Sequence, residues 1–213
     1  MKQLKIIIHS DRSNISEYLN SLLQFIFFQR SYGSITPQVS QFLNVSYPCL
    51  TFDDGNEELK KLNYDIDEVI KEVIESKNLN DKGELSISFW ELKNNSNSIA
   101  SKISTWSNFF NDNTSTSNST ENLELSQNIN LFEQFLIEVN ILNDDESFII
   151  EEFERNLDVI NEWCIQNKEH IPNLTNLNIL PFNFNLSFKV DSGEKNHNSN
   201  DIDWKSFIKK ILK

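Results

Sequence analysis

"LPFNFNLSFKV", Leu180–Val190, places Phe182, Phe184, Leu186, Phe188 and Val190 at every second position, alternating with Asn183, Asn185, Ser187 and Lys189. A period of two is the signature of a strand with one apolar and one polar face. Upstream, "NLFEQFLIEVNIL", Asn130–Leu142, reads as a long strand. "ELSISFWEL", Glu84–Leu92, sets Leu85, Ile87 and Phe89 against Ser86, Ser88 and Trp90, as a half-buried strand does. "LKIIIHS", Leu4–Ser10, reads as the opening strand.

Between these runs the period changes to that of a helix. Ile15, Tyr18, Leu19, Leu22, Leu23 and Ile26 share one face, after a capping-box-like start of Asn14 with Glu17. Phe25, Phe27 and Phe28 make the second half of this helix apolar nearly all round, which predicts cover on more than one side. It stops at "RSYG", where Gly33 is expected to take a left-handed cap conformation. Residues 35–52 read as extended segments broken by Pro37 and Pro48, and "FDDGNEE" as a turn or loop. Asp65 with Glu68 is expected to cap a second helix whose stripe is Ile66, Val69, Ile70, Val73 and Ile74. A third helix, about Ser147 to Asn167, carries Ile149, Phe153, Leu157, Ile160 and Cys164 on one face, with Trp163 beside them. A last helix, capped by Asp203, turns Trp204, Phe207, Ile208, Ile211 and Leu212 inward. The order of elements predicts one α+β domain over residues 1–213, with helices packed on a mainly antiparallel sheet.

Composition limits the chemistry. The 213 residues include 16 Phe and only 38% hydrophobic residues, so the core is expected to be rich in aromatic rings. A net charge of −13 repels nucleic-acid backbones and anionic membranes. The lysines of "DWKSFIKKILK" are read as solvated charges favouring the C-terminal end of their helix. Cys49 and Cys164 form no motif, no run is long enough to cross a bilayer, and the Asn-x-Ser/Thr sequons are chance matches in an Asn/Ser-rich chain. The expected compartment is the reducing cytoplasm.

Four glycines cannot build a phosphate loop. His9, His170 and His197 are scattered, and His170, six residues after Cys164, has no further metal ligands in sequence. Asp53–Asp54 and Asp144–Asp145–Glu146 read as solvated acidic loops or helix starts rather than paired catalytic carboxylates. No Ser or Thr sits in a nucleophile elbow. The reading is of a protein that is not an enzyme and needs no cofactor.

From about residue 94 to 128 the chain turns to Asn, Ser and Thr, too long for an ordinary connection. Within it "TWSNFF" holds Trp106, Phe109 and Phe110. Three readings stand on residues alone. The rings fold back over the core, they sit in an insert without a role, or they are exposed anchors for a partner pocket.

Several stretches resemble the autophagy-related protein 101 family. "EYLNSLLQFIFFQRSYG" resembles its first long helix, ending at Arg30, Ser31 and Gly33. "NLFEQFLIEV" resembles a strand opened by aromatic-Glu-x-aromatic, here Phe132, Glu133 and Phe135. "KEHIPNL" resembles the close of the third helix, with Pro172, and "LPFNFNLSF" the family's late aromatic strand.

The resemblance implies a single HORMA domain and a non-catalytic adaptor of the autophagy-initiation kinase complex, at the phagophore assembly site. It implies pairing with the HORMA domain of autophagy-related protein 13, protection of that partner, and recruitment of later factors through a projecting "WF finger". Trp106 with Phe109 or Phe110 matches the finger, although Ser107 and Asn108 stand where the family has Pro. By analogy with HORMA dimers, the third helix, including Arg155 and Trp163, is expected at the partner interface; core packing is the other reading of Trp163. The alternatives are a peptide-clasping HORMA adaptor of checkpoint or DNA-damage signalling, and a small acidic hydrolase.

Overall fold

The computed structural model describes residues 1–33, 36–50, 56–75, 83–92, 129–142, 145–174 and 178–190. The elements run β1 (Lys2–Ser10), α1 (Ile15–Gln29), β2 (Gln38–Phe42), β3 (Val45–Cys49), α2 (Glu57–Glu75), β4 (Gly83–Leu92), β5 (Ile129–Ile141), α3 (Glu146–Gln166) and β6 (Asn183–Val190). The fold is α+β, with helices packed on a mainly antiparallel sheet of order β1-β5-β4-β6. At one edge β1 runs parallel to β5, in register from Lys2↔Glu133 to Ser10↔Ile141. A separate antiparallel hairpin joins β2 to β3.

The chain divides into two compact units, one of Met1–Phe89 with Leu131–Glu194, the other of Trp90–Asn130 with Lys195–Lys213. In the second, Asn130 Nδ2 donates to Glu91 Oε1 at 2.9 Å. Residues 93–128, with the aromatic tract Trp106, Phe109 and Phe110, and the last helix expected at 203–212, lie outside the described residues.

In the first unit α1 is the central element. Tyr18, Leu19, Leu22, Leu23, Ile26 and Phe27 are all completely buried. The reason is the one its composition implies: the helix touches the β2–β3 hairpin, α2 and α3, so no single apolar stripe would suffice. Aromatic edges interlock around it. Phe27 meets Phe89 and Phe184 at 5.6 and 4.8 Å between centroids, and Phe153 of α3 meets Tyr18 and Phe42 at 5.2 and 4.8 Å. Such edge-to-face pairs each add about 0.5–1.5 kcal/mol beyond burial. The expected aromatic core is present.

Four local expectations are corrected. First, α1 starts where expected, but Asn14 and Glu17 do not form the capping box. The Asp11 carboxylate does the work, accepting from Asn14 N (2.8 Å), Asn14 Nδ2 (3.2 Å) and Ser13 Oγ (2.8 Å). Second, α2 begins at Glu57, not Asp65. Asn56 Oδ1 accepts from the amides of Glu58 and Leu59 at 2.9 and 3.2 Å, satisfying two donors that the first turn would otherwise orphan. Its buried stripe therefore starts at Leu59 and Leu62, whereas Ile74 is 54% exposed.

Third, Gly33 has no left-handed backbone. The helix is closed already by Arg30 N→Phe27 O and Ser31 N→Phe28 O. Glycine is required because a Cβ there would come within 2.8 Å of Ile179 Cα. That close approach lets Tyr32 N donate to Ile179 O at 3.0 Å. Fourth, β4 is an interior strand rather than a half-buried one, and Ser88 and Trp90 are buried as well as Leu85, Ile87 and Phe89.

The β2–β3 turn was not legible in the sequence. Leu43 takes φ 52°, and with Phe42↔Val45 as the closing pair the loop is only two residues long. A positive φ at the first central position alone is the pattern of a type II′ turn, which normally asks for Gly.

Candidate functional site

The buried charged side chains, Glu152 and the Arg30–Glu133 pair, meet at α3 from two sides. α3 buries Ile149, Phe153, Ile160 and Cys164 as its apolar spacing requires, but Glu152 and Asn156 are buried on the same side. A buried carboxylate without partners would cost several kcal/mol, so its contacts explain its presence.

Glu152 Oε1 accepts from the His9 amide at 2.6 Å, and Oε2 lies 2.7 Å from His9 Nδ1. The Tyr18 hydroxyl donates to Oε1 at 3.4 Å. Asn156 Nδ2 reaches Ile7 O at 3.2 Å and the Tyr18 hydroxyl at 3.0 Å. Burial, reinforced by the Glu152 charge, pushes the Tyr18 hydroxyl well above the usual tyrosine range, so it stays a neutral donor. Strand geometry gives these contacts a common purpose. Ser10 O accepts from Leu142 N after β5, so the backbone groups of Ile7 and His9 point away from β5, towards the open edge of the sheet. Glu152 and Asn156 satisfy two of those edge groups, Ile7 O and His9 N–H. A bare edge there would template pairing with another chain.

The second convergence is deeper. Arg30, just past α1, and Glu133, on β5, are 2% and 0% exposed. Glu133 lies on the core face of β5 with Phe135, Ile137 and Val139, because its register partner Lys2 precedes Leu4, Ile6 and Ile8 at intervals of two. The pair is bidentate, with Arg30 Nε to Oε2 at 2.5 Å and Nη2 to Oε1 at 2.6 Å. Trp163 Nε1 of α3 donates to the same Oε1 at 2.9 Å. His170 Nε2 is 3.3 Å from it, at ion-pair distance but outside hydrogen-bonding geometry. The Arg30 guanidinium also sits 5.9 Å from the Phe135 ring centroid.

Burial disfavours the Arg30 charge, yet the Glu133 carboxylate more than offsets it and holds the guanidinium above its usual range. Burial lowers His170 against the pull of Glu133, and raises the Cys164 thiol to about 12. Glu133, sealed from solvent and already accepting from Arg30 and Trp163, has no access to a substrate. Its geometry is that of a rivet through α1, β5, α3 and the segment after α3. Among the described residues no three His, Cys, Asp or Glu side chains come together to hold a metal ion.

Of the residues singled out from sequence, Arg155 and Trp163 share α3 but point differently. Arg155 is exposed, 61% by side chain, and its Nη2 reaches back to Glu152 Oε2 at 3.6 Å. Trp163 is half-buried with its indole nitrogen bound to Glu133. Trp106, Phe109 and Phe110 fall outside the described residues. The two buried networks were missed by sequence reasoning. The signal for each was a charge on an apolar face: Glu133 in phase with Phe135 and Ile137, and Glu152 three residues after Ile149.

A family model described as autophagy-related protein 101 matches residues 7–178, from β1 to the segment before β6. No curated protein matches the chain.

Proposed function

Because the chain belongs to the autophagy-related protein 101 family, which supports a role in autophagy, we propose that it is a non-catalytic adaptor of the autophagy-initiation complex. It pairs with the HORMA domain of autophagy-related protein 13, stabilises that partner, and recruits later-acting factors through Trp106 with Phe109 or Phe110. It works in the cytoplasm and at the phagophore assembly site. The observation that carries this reading is the family match across residues 7–178. The riveting of α3 also supports it, since an adaptor benefits from a helix held rigid before the partner arrives. Arg155 is the side chain of α3 that meets the partner, and Trp163 positions the helix from within.

The recruiting role is tested by Trp106→Ala/Phe109→Ala/Phe110→Ala. The variant is expected to keep the wild-type thermal melt and its pairing while autophagosome counts fall in cells. A lowered melting temperature would assign the rings to the core and remove the finger. The stabilising role is tested by deleting the chain and following partner lifetime, which shortens on this account.

A further inference from the structure

The turn that leaves α3 is held down by side chains rather than by backbone. Asn167 still belongs to the helix end, with its amide and Nδ2 both donating to Trp163 O, at 2.9 and 3.1 Å. Beyond it, among the described residues 168–174, the one backbone hydrogen bond is internal to the turn, Ile171 N to Lys168 O at 3.1 Å. Two side chains anchor the segment. Ile171 packs half-buried against the core, and His170, its side chain 12% exposed, lies against Phe132 with 6.3 Å between ring centroids.

His170 is poorly served in that seat. Both ring nitrogens are sealed from water and neither has a hydrogen-bond partner, an unfavourable arrangement that calls for a reason. The nearest acceptor, Glu133 Oε1 at 3.3 Å, lies out of line and already accepts from Arg30 and Trp163. Charges reach the ring from three elements. Glu133 of β5 favours a proton on it, whereas Arg30, just past α1, and Lys2 of β1 oppose one. Lys168 and Glu169, on the turn itself, are exposed. Cys164 of α3 and the Tyr32 hydroxyl, both beside the Arg30–Glu133 pair, stay neutral, the thiol pushed up to about 12 by burial. Burial is the largest influence on His170 and tips the balance towards the neutral ring.

We propose that the turn Lys168–Ile171 is an acid-released latch, closed on Phe132 while His170 is neutral and swung out once His170 is protonated, with the sheet and helices still folded. Opening uncovers one side of Phe132 and gives solvent a path to the Glu133 carboxylate. The open turn takes up its proton at the usual histidine value of about 6.5 and the closed turn at a lower one. Opening therefore grows as pH falls below about 6.5, by at most about ten-fold per pH unit for one proton, and levels off below the closed value.

Amide hydrogen exchange of the full chain, resolved by NMR and corrected for the intrinsic effect of pH, tests the latch. Between about pH 7.5 and about pH 5.5, protection of the Ile171 amide is expected to fall about five- to ten-fold, while Leu22 of α1 and Val139 of β5 keep theirs. His170→Phe leaves a ring against Phe132 and removes the titration, so Ile171 protection is expected to be equal at both pH values. Should that variant not fold, His170→Gln is expected to lose the pH dependence in the same way. The latch is overturned if wild-type Ile171 protection does not change, or if it rises in acid, which would mean that the turn tightens on Glu133. It is equally overturned if the variant keeps the wild-type change, or if Leu22 and Val139 lose protection in step, because the whole domain then opens and not the turn.

Discussion

Glu133→Gln probes the rivet beneath α3. The substitution keeps shape and removes one charge, leaving the Arg30 guanidinium 2% exposed beside a neutral amide. Breaking a buried ion pair by neutralising one partner costs about 3–5 kcal/mol, because the surviving charge stays desolvated. The Glu133 carboxylate accepts two hydrogen bonds from Arg30, at 2.5 and 2.6 Å, and one from Trp163 at 2.9 Å, which places this case at the upper end. For a domain of this size that is a fall in melting temperature of roughly 6–20 °C. Urea unfolding followed by tryptophan fluorescence measures it, since the Trp163 indole is itself a partner of Glu133. The companion Arg30→Met/Glu133→Leu removes both charges and is expected to recover most of the loss, as buried pairs rarely outperform a well-packed apolar replacement. A Glu133→Gln penalty below about 1 kcal/mol would falsify the claim that the pair is dry and bidentate.

Three further outcomes follow from the same contacts. Glu152→Ala removes the acceptor of the His9 amide, and hydrogen exchange at His9 is expected to accelerate about ten-fold or more, the worth of a bond to a buried charge; unchanged exchange would mean that the β1 edge is sealed by something else. His170 is held neutral by burial below its usual range, so the unfolded chain takes up that proton first. Its contribution is full above about pH 6.5 and is lost as pH falls through the lowered folded value, so His170→Gln should narrow the wild-type stability gap between about pH 7.5 and about pH 5. A gap of equal size in the variant refutes the assignment. Asn56→Ala should cost about 1 kcal/mol in chemical denaturation while Asp65→Ala costs little, and the reverse order would restore the helix start read from sequence.

The contrast between what was legible and what was not has physical causes. Periodicity placed β1, α1, β4, β5 and α3 within a residue or two, because burial enforces a spacing that single residues cannot hide. It missed the first two turns of α2, since Leu59 and Leu62 lie among Glu57, Glu58, Lys60 and Lys61 and Asp65–Glu68 offered a stronger local cap signal. The turn at Leu43 was hidden because its positive φ is imposed by the pairing of β2 with β3, not by a turn residue. The networks at Glu133 and Glu152 depend on partners 103 and 143 residues away, a separation no local window spans. Arg30 and Glu133 were visible as marks of family resemblance, but not as a pair.

The adaptor reading is tested most directly by co-expressing the full chain with the HORMA domain of autophagy-related protein 13 and measuring mass by light scattering after size exclusion. A stable one-to-one complex that survives dilution is the predicted result. Persistent monomers of both chains at every concentration would contradict it.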